Sequence, residues 1–182
     1  MNTEGGIVRM YSKNPMNYQG TDVAASMASG LGVTTEVAHY HRPSDEFAFS
    51  ATAFYSGQRG FFDNVNLGED ADLSNEAGGR MRFVFMPDSR LTFDLTSDYQ
   101  YVNQNAFAYG MYDEETGGWA EPSTTFMNGY RRQMLNMGLN VSYRHDGFLL
   151  SLATGYQFLD DLMQMDQDYL PDDYMRLEQA QK

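Results

Sequence analysis

Apolar and polar residues alternate along this chain with a period of two, and the alternation persists over long stretches. In residues 91–102 the odd positions begin Leu91, Phe93 and Leu95 and end in tyrosines, whereas the even positions up to 100 carry Thr, Asp and Gln. Residues 132–144 and 147–158 alternate in the same way, as do shorter stretches at 47–56 and 80–85. Successive strand side chains point to opposite faces, so each stretch predicts a β-strand with one apolar face.

Two weaker strands are predicted at 21–29 and 33–41, and an eighth begins near Met175. Short, turn-like links at 42–46, 87–90 and 145–147 alternate with long, acidic links at about 57–78, 103–130 and 159–174. In an antiparallel meander, alternate connections lie at the same end of the sheet. The sequence therefore predicts one end with tight turns and one end with long loops.

The predicted strands are about 9–12 residues long, which is long for a globular sheet but enough to cross a bilayer at a tilt. Tyr99, Tyr101, Tyr143 and Tyr156 lie towards the ends of apolar faces, where a ring suits the membrane interface. Together with the unequal connections, these features predict an all-β, antiparallel up-and-down meander that forms an unclosed part of a transmembrane β-barrel.

Composition excludes several functions. The net charge is −13, which disfavours nucleic-acid binding, because phosphate neutralisation requires lysine and arginine. The chain has no cysteine, which excludes disulfide scaffolds and thiol catalysis. There is no apolar run of about 18 residues for a transmembrane helix, and no signal peptide is expected at Met1.

A Gly-Gly pair, a short apolar stretch and a Ser-Lys-x-Pro motif follow one another at the start of the chain. The residues concerned are Asn2, Thr3, Gly5, Gly6, Ile7, Val8, Ser12, Lys13 and Pro15. This stretch resembles the segment that closes the plug domain of TonB-dependent outer-membrane receptors, where a Gly-Gly pair, a short strand and a Thr/Ser-Lys-x-Pro motif precede the first barrel strand. Residues 42–49, 55–64 and 78–82 are similar to the family's first periplasmic turn, its second external loop and the strand that returns from that loop. Residues 155–168 and 177–179 continue in the manner of the siderophore-receptor branch.

The resemblance implies a bacterial outer-membrane transporter that takes up a scarce nutrient, most simply a ferric siderophore or another iron complex. It implies outer-membrane lipid and a TonB-type energy-coupling protein as partners, and no enzymatic activity or resident cofactor. Residues 1–18 are expected to be the last plug strand and its linker, and residues 19–182 the first part of the barrel. The plug strand is expected at residues 6–12, and residues 14–20 should link it to the first barrel strand. The family's signal, TonB box, remaining plug and later strands have no counterpart here, so an internal fragment is expected.

Four groups of side chains are candidate sites by residue type. His39 and His41 share a strand face but show no third metal ligand, so a place at the interface is preferred. Asp63–Gly68 resembles part of a calcium loop, but Val65 and Leu67 occupy ligand positions. A third group, predicted to lie in a solvated external loop rather than to bind calcium, is Asp160, Asp161, Asp166, Asp168, Asp172 and Asp173.

A fourth group consists of charges expected on the polar wall, where they pair across strands or contact a plug: Asp94, Asp98, Arg80, Arg82, Arg132 and Arg144. No general acid–base pair, nucleophilic triad or phosphate-binding loop is predicted. No ligand-binding residue is assigned, although loop aromatics are able to stack on a flat ligand: Phe61, Phe62, Tyr109, Tyr112 and Trp119.

Two other functions remain open at this stage. One is a complete eight-stranded outer-membrane barrel with a structural or adhesive role, and the other is a secreted β-sandwich binding module. If the barrel-wall interpretation holds, Leu95, Leu139, Val141, Leu150 and Leu152 face lipid. Asp94, Thr96, Asn140 and Ser151 then face the lumen. The two sheet edges and the apolar face should also prevent the isolated chain from being a soluble, transport-competent monomer.

Overall fold

The structure, a computed structural model, describes residues 12–182. These residues are all-β, with 63% in strands and no helix. No helix in this part of the chain is long and apolar enough to span a lipid bilayer. In chain order the strands are β1 (Gly20–Ala28), β2 (Gly32–His41), β3 (Phe47–Gln58), β4 (Asp63–Asn64), β5 (Glu69–Asp70), β6 (Ser74–Phe85), β7 (Leu91–Asn105), β8 (Tyr112–Asp113), β9 (Gly118–Trp119), β10 (Gly129–His145), β11 (Phe148–Asp166) and β12 (Arg176–Gln181).

Eight strands form one antiparallel sheet in the order β1-β2-β3-β6-β7-β10-β11-β12. Each strand therefore pairs with the long strand that precedes or follows it in the chain. The remaining strands form two small hairpins, β4–β5 and β8–β9, inside the long loops. β1 and β12 end the sheet and do not pair with each other, so the predicted unclosed meander is confirmed.

Strand pairing places the predicted apolar residues on one face. Leu139 pairs with Leu95 on β7, and Val141 pairs with Leu152 on β11. The adjacent positions pair with one another as well, so that Asn140 lies opposite Asp94 and Ser142 opposite Ser151. We call the face with Leu95, Leu139 and Leu152 the apolar face, and the face with Asp94, Asn140 and Ser151 the polar face.

The apolar face has no covering layer in the described part of the chain. Val23, Met81, Leu150, Leu152 and Tyr156 are all exposed, Leu152 to 59%. The buried hydrophobic residues are few and small in comparison: Ala38, Ala48, Ala71, Val84 and Val102. The wall is therefore stabilised mainly by strand pairing rather than by a hydrophobic core.

Two predicted strand boundaries are wrong, and in both cases the strand extends further into the long loop than predicted. β6 begins at Ser74 rather than near residue 78, and β11 continues to Asp166 instead of ending at Phe158. Asp160, Asp161 and Asp166 are therefore strand residues, although they were predicted to lie in an external loop. Asp161 pairs with Arg132 of β10. The adjacent Asp160 and Asp161 place a carboxylate on each face, so β11 continues past the point where the alternation is lost.

Residues 12–19 approach the sheet from the polar face. The Tyr18 hydroxyl donates a hydrogen bond to Asp22 Oδ1 over 2.8 Å, and the Tyr18 ring meets the edge of Tyr40 at 5.0 Å. Asp22 and Tyr40 both occupy polar-face positions near the short turns. This segment forms a turn before β1, as expected for residues 14–20. The plug strand predicted at residues 6–12 lies outside the described residues, apart from Ser12.

Candidate functional site

The polar face carries a bidentate ion pair between neighbouring strands. Arg82 on β6 donates from Nε to Asp94 Oδ1 over 2.9 Å and from Nη2 to Oδ2 over 2.7 Å. The two side chains are 17% and 22% exposed. The predicted pairing of opposite charges across strands is thus confirmed for these two residues. Both carboxylate oxygens of Asp94 therefore accept hydrogen bonds from the Arg82 guanidinium, which fixes the two side chains against each other.

Hydrogen bonds extend the polar face across four strands. Gln100 donates to Glu76 Oε1 over 2.5 Å and accepts from Arg132 Nη2 over 2.8 Å. In a second row of hydrogen bonds beside the first, Asn136 donates to Asp98 over 2.7 Å and accepts from Gln157 over 2.8 Å. The result is a wall of positioned amides and charges that is suited to contact a hydrated or polar body.

Three cationic side chains on this face keep unused donors. Arg80 lies opposite Asp98 and is exposed, but it forms no ion pair among the described residues, and neither does Arg144. Arg132 uses Nη2 for Gln100, while its buried Nε has no partner in the described part of the chain. The strand register brings all the predicted wall charges to one face, but only Arg82 and Asp94 join as an ion pair.

Two of the long loops and the end of β11 meet in a buried polar cluster, which we call the loop cluster: Asn64, Thr124, Asn128 and Asp166. Asn64 donates to Thr124 Oγ1 over 2.7 Å, and Asp166 Oδ2 accepts from the backbone N–H and the hydroxyl of Thr125. The backbone N–H of Asp166 donates to Asn128 Oδ1 over 2.6 Å. The prediction that Asp166 belongs to a solvated acidic loop is wrong, because this carboxylate is fully buried.

The β4–β5 and β8–β9 hairpins are built on the same five-residue turn. Asn64 Oδ1 accepts from the backbone N–H groups of Asn66 and Leu67, and the backbone N–H of Gly68 donates to the Asn64 carbonyl. Asp113 makes the same three contacts with Glu115, Thr116 and Gly117. Both glycines are left-handed, with φ of 71° and 66°. Asp63–Gly68 is therefore a hairpin turn whose side chains stabilise the backbone.

The loop aromatics occupy three places rather than one binding surface. Tyr112 and Trp119 pair edge to face at 5.2 Å on the β8–β9 hairpin, where Trp119 is 77% exposed. Tyr109 packs against Tyr169 at 5.4 Å. Phe61 and Phe62 lie in the β3–β6 loop, where their backbone N–H groups donate to Asp72. Trp119 is the most exposed of these five loop rings.

The remaining candidate groups are occupied by local contacts. His39 and His41 stack at 6.1 Å on the apolar face, and His39 Nδ1 lies 2.9 Å from Thr21 Oγ1. Partial desolvation opposes the charge of Asp168, but backbone N–H groups of Leu170, Met175 and Tyr174 donate to it and lower its pKa overall. Within residues 12–182, no group of three or more His, Asp or Glu side chains is arranged to hold a metal ion.

The sequence analysis missed the loop cluster and both hairpins. The loop cluster leaves no periodic signal, because its members come from separate loops and a strand end. The hairpins do have a signal, an Asn or Asp followed four positions later by glycine. Comparison of the chain with protein-family models, curated proteins and solved structures finds no match. The class that the fold defines is an all-β protein with an open, two-faced antiparallel sheet.

Proposed function

We propose that this chain is a section of the barrel wall of a TonB-dependent transporter in the bacterial outer membrane. The observation that carries the proposal is the eight-stranded open sheet with one apolar and one polar face. The exposed apolar face matches the lipid-facing band of an outer-membrane barrel, and the hydrogen-bonded polar face matches a wall turned towards a plug and water.

The stagger of the short turns supports a tilted wall. A row of paired residues runs through the sheet from His39 through Met81 to Tyr156, by way of Ala51, Ser97 and Met137. On the turn side, β2 ends two residues beyond this row at His41, β6 ends four beyond it at Phe85, and β11 begins eight beyond it at Phe148.

This stagger converts into an angle. A strand rises about 3.3 Å per residue, and neighbouring strands lie about 4.8 Å apart. With this stagger, the short turns lie at one height along the barrel axis only if the strands tilt by about 40°. Transmembrane barrels have strand tilts of roughly 35–45°. The stagger is therefore what a membrane surface lying along the short turns would produce.

Both edges of the sheet also support the proposal. The outer backbone groups of β1 and β12 have no strand partner in the described part of the chain. In hydrocarbon each unpaired backbone group costs several kcal/mol, so a membrane-embedded wall requires further strands at both edges. Further strands of the same barrel are the partners that the resemblance to TonB-dependent receptors implies.

The transport function follows from the resemblance and from the loops. We propose that the whole transporter binds a ferric siderophore or another iron complex at the long-loop end, and that a TonB-type protein supplies energy for uptake. The exposed Tyr112–Trp119 pair is the described feature that best suits a flat ligand group. No catalytic role is part of this proposal.

The alternative functions fit the structure less well. A closed eight-stranded barrel requires β1 to pair with β12, which it does not. A β-sandwich requires a second sheet to cover the apolar face, but residues 12–182 supply only two small hairpins besides the main sheet.

Single-cysteine labelling tests the wall, since the natural chain has no cysteine. We would place Leu139→Cys and Asn140→Cys in the complete barrel of which this chain is proposed to be a section, assemble it in lipid bilayers, attach an environment-sensitive fluorophore, and add a membrane-confined nitroxide quencher. The label at position 139 should be quenched strongly and the label at 140 weakly. Leu139→Arg should also destabilise an assembled barrel by about 2–4 kcal/mol, and Asn140→Arg by much less. Equal quenching at both positions would refute the wall assignment.

A separate measurement tests the ligand. Trp119 is the sole tryptophan, so its fluorescence reports directly on the exposed aromatic pair. Ferric catecholate and hydroxamate complexes should quench it saturably, whereas the iron-free chelators should not. Tyr112→Ala should weaken the response. If no iron complex gives saturable quenching, the loops described here do not bind the ligand and that part of the proposal fails.

A further inference from the structure

A hollow in the apolar face lies where small residues on β3 and β6 replace the large ones found elsewhere in the band. Its volume is about 520 Å³, and a second hollow of about 360 Å³ adjoins it across Val37 and Ala53. The residues that define the larger hollow are Val37, His39, Ala51, Ala53, Gly79 and Tyr99. Volumes of this size and an apolar lining are typical of small-molecule sites.

The two ends of the larger hollow differ in polarity. At the end near the short turns, the stacked rings of His39 and His41 are exposed on the apolar face. At the opposite end, the Tyr99 hydroxyl donates to Gln133 over 3.3 Å. Between these ends the floor is formed by alanine and glycine. The larger hollow, which we call the cleft, thus presents imidazole nitrogens at one end and hydrocarbon along its length.

The charge distribution selects the orientation of a lipid in this cleft. Residues 59–73, 106–128 and 167–175 form the long loops, and their one basic residue is Arg59. Against it stand eleven acidic residues: Asp63, Glu69, Asp70, Asp72, Asp113, Glu114, Glu115, Glu121, Asp168, Asp172 and Asp173. An anionic headgroup is repelled more strongly from the loop end, because the short turns carry only four carboxylates, Asp45, Glu46, Asp88 and Asp146. Asp45 is already paired with Arg42 at 2.8 Å, and the histidine pair lies at the same end of the sheet.

We propose that this cleft binds an anionic phospholipid of the leaflet that meets the short turns. Its phosphate accepts hydrogen bonds from the imidazole N–H groups of His39 and His41, and an acyl chain lies over Ala51, Ala53 and Gly79. This site rests on the proposed membrane location but goes beyond it, because it distinguishes one lipid position from the rest of the apolar band.

Spin-labelled lipids test the site. The complete barrel that contains this chain would be assembled in phosphatidylcholine bilayers that contain labelled phosphatidylglycerol, labelled phosphatidylcholine or a labelled lipopolysaccharide glycolipid. Phosphatidylglycerol should give the largest motionally restricted fraction in electron spin resonance. Ala51→Leu with Ala53→Leu fills the cleft and should remove this excess. Thr154→Leu, on the apolar face but outside the cleft, is the matched control and should retain it.

The headgroup contact has its own variant. His39→Ala with His41→Ala should lower the preference for phosphatidylglycerol over phosphatidylcholine by about twofold to fivefold, since one favourable headgroup contact contributes about 1 kcal/mol. An unchanged preference in this variant, an unchanged restricted fraction in the filled-cleft variant, or stronger binding of the glycolipid would overturn the proposal. If the label at Leu139→Cys is not quenched from the membrane, the proposed function has failed; if it is quenched and only the lipid results fail, the cleft alone is refuted.

Discussion

The two loop hairpins share one turn but differ in what holds them to the protein. In β4–β5 the turn residue Asn64 is 1% exposed, and its amide donates to Thr124 of another loop. In β8–β9 the equivalent Asp113 bonds only within its own turn, and the neighbouring Trp119 projects into solvent. The same local geometry therefore serves as an anchor in one place and as a carrier of exposed aromatic rings in the other.

This difference shows that the second contact of a turn residue decides its role. An amide both accepts from the turn and donates outward, so Asn64 is able to join the loop cluster. A carboxylate only accepts hydrogen bonds, and both oxygens of Asp113 already accept from Glu115 and Thr116. Four predictions test the comparison, each measured on the full chain refolded in detergent micelles.

The largest effect is expected from exchanging the two turn residues. Asn64→Asp keeps the turn bonds but removes both amide donors and places a charge against the Thr124 carbonyl, which should cost about 3 kcal/mol at pH 7. Amide hydrogen exchange at Val65 and Ala106 measures this loss. The reciprocal Asp113→Asn should leave the protection of Gly117 nearly unchanged. Equal effects in the two hairpins would contradict the comparison.

A smaller loss is expected when the threonine hydroxyl that contacts each turn residue is removed. Thr124→Val removes the oxygen that accepts from Asn64 and donates to Phe126, and should cost about 1–2 kcal/mol because both partners are left in a buried site. Thr116→Val removes an exposed bond to Asp113 and should cost much less. The measurement is the urea midpoint of loop protection; a larger shift for Thr116→Val would reverse the assignment.

The shared turn itself predicts equal costs. Gly68 and Gly117 both have positive φ, and an added Cβ at either position meets no other atom within 4 Å. Gly68→Ala and Gly117→Ala should therefore each cost about 1 kcal/mol from backbone strain alone. Local exchange at the following residue measures each effect. A difference of more than about 1 kcal/mol would show that the two turns are not equivalent.

The smallest effect concerns acid. The Thr116 hydroxyl, followed by the backbone N–H groups of Glu115 and Thr116, lowers the pKa of Asp113 below its ordinary value of 3.8. The stabilisation is therefore complete above the unfolded pKa and is lost as pH falls through the folded pKa, below about 3.8. Nuclear magnetic resonance should show the β8–β9 turn loosening in that range, and Asp113→Asn should abolish the change. The Asn64 turn has no titrating group and should not loosen with it.

The sequence predicted the wall better than the loops. Alternation located Leu95, Leu139 and Leu152 on one face, because burial or lipid contact imposes a period of two wherever the faces differ. The same rule failed for residues 159–166, where Asp160 and Asp161 are both polar and the faces no longer differ. The loop cluster could not be predicted from the sequence for another reason, since Asn64, Thr124 and Asp166 come from three separate chain segments that meet only in the folded protein.

The small hairpins also change the entropy of assembling the sheet. Pairing β3 with β6 requires closing the chain between Gln58 and Ser74, and closure costs more as the free segment lengthens. When Asp63 and Asn64 have already paired with Asp70 and Glu69, the residues between them are closed into a hairpin, and the remaining flexible segment is short. The β8–β9 pairing does the same between β7 and β10. Each hairpin therefore lowers the entropy cost of pairing the two long strands that flank its loop.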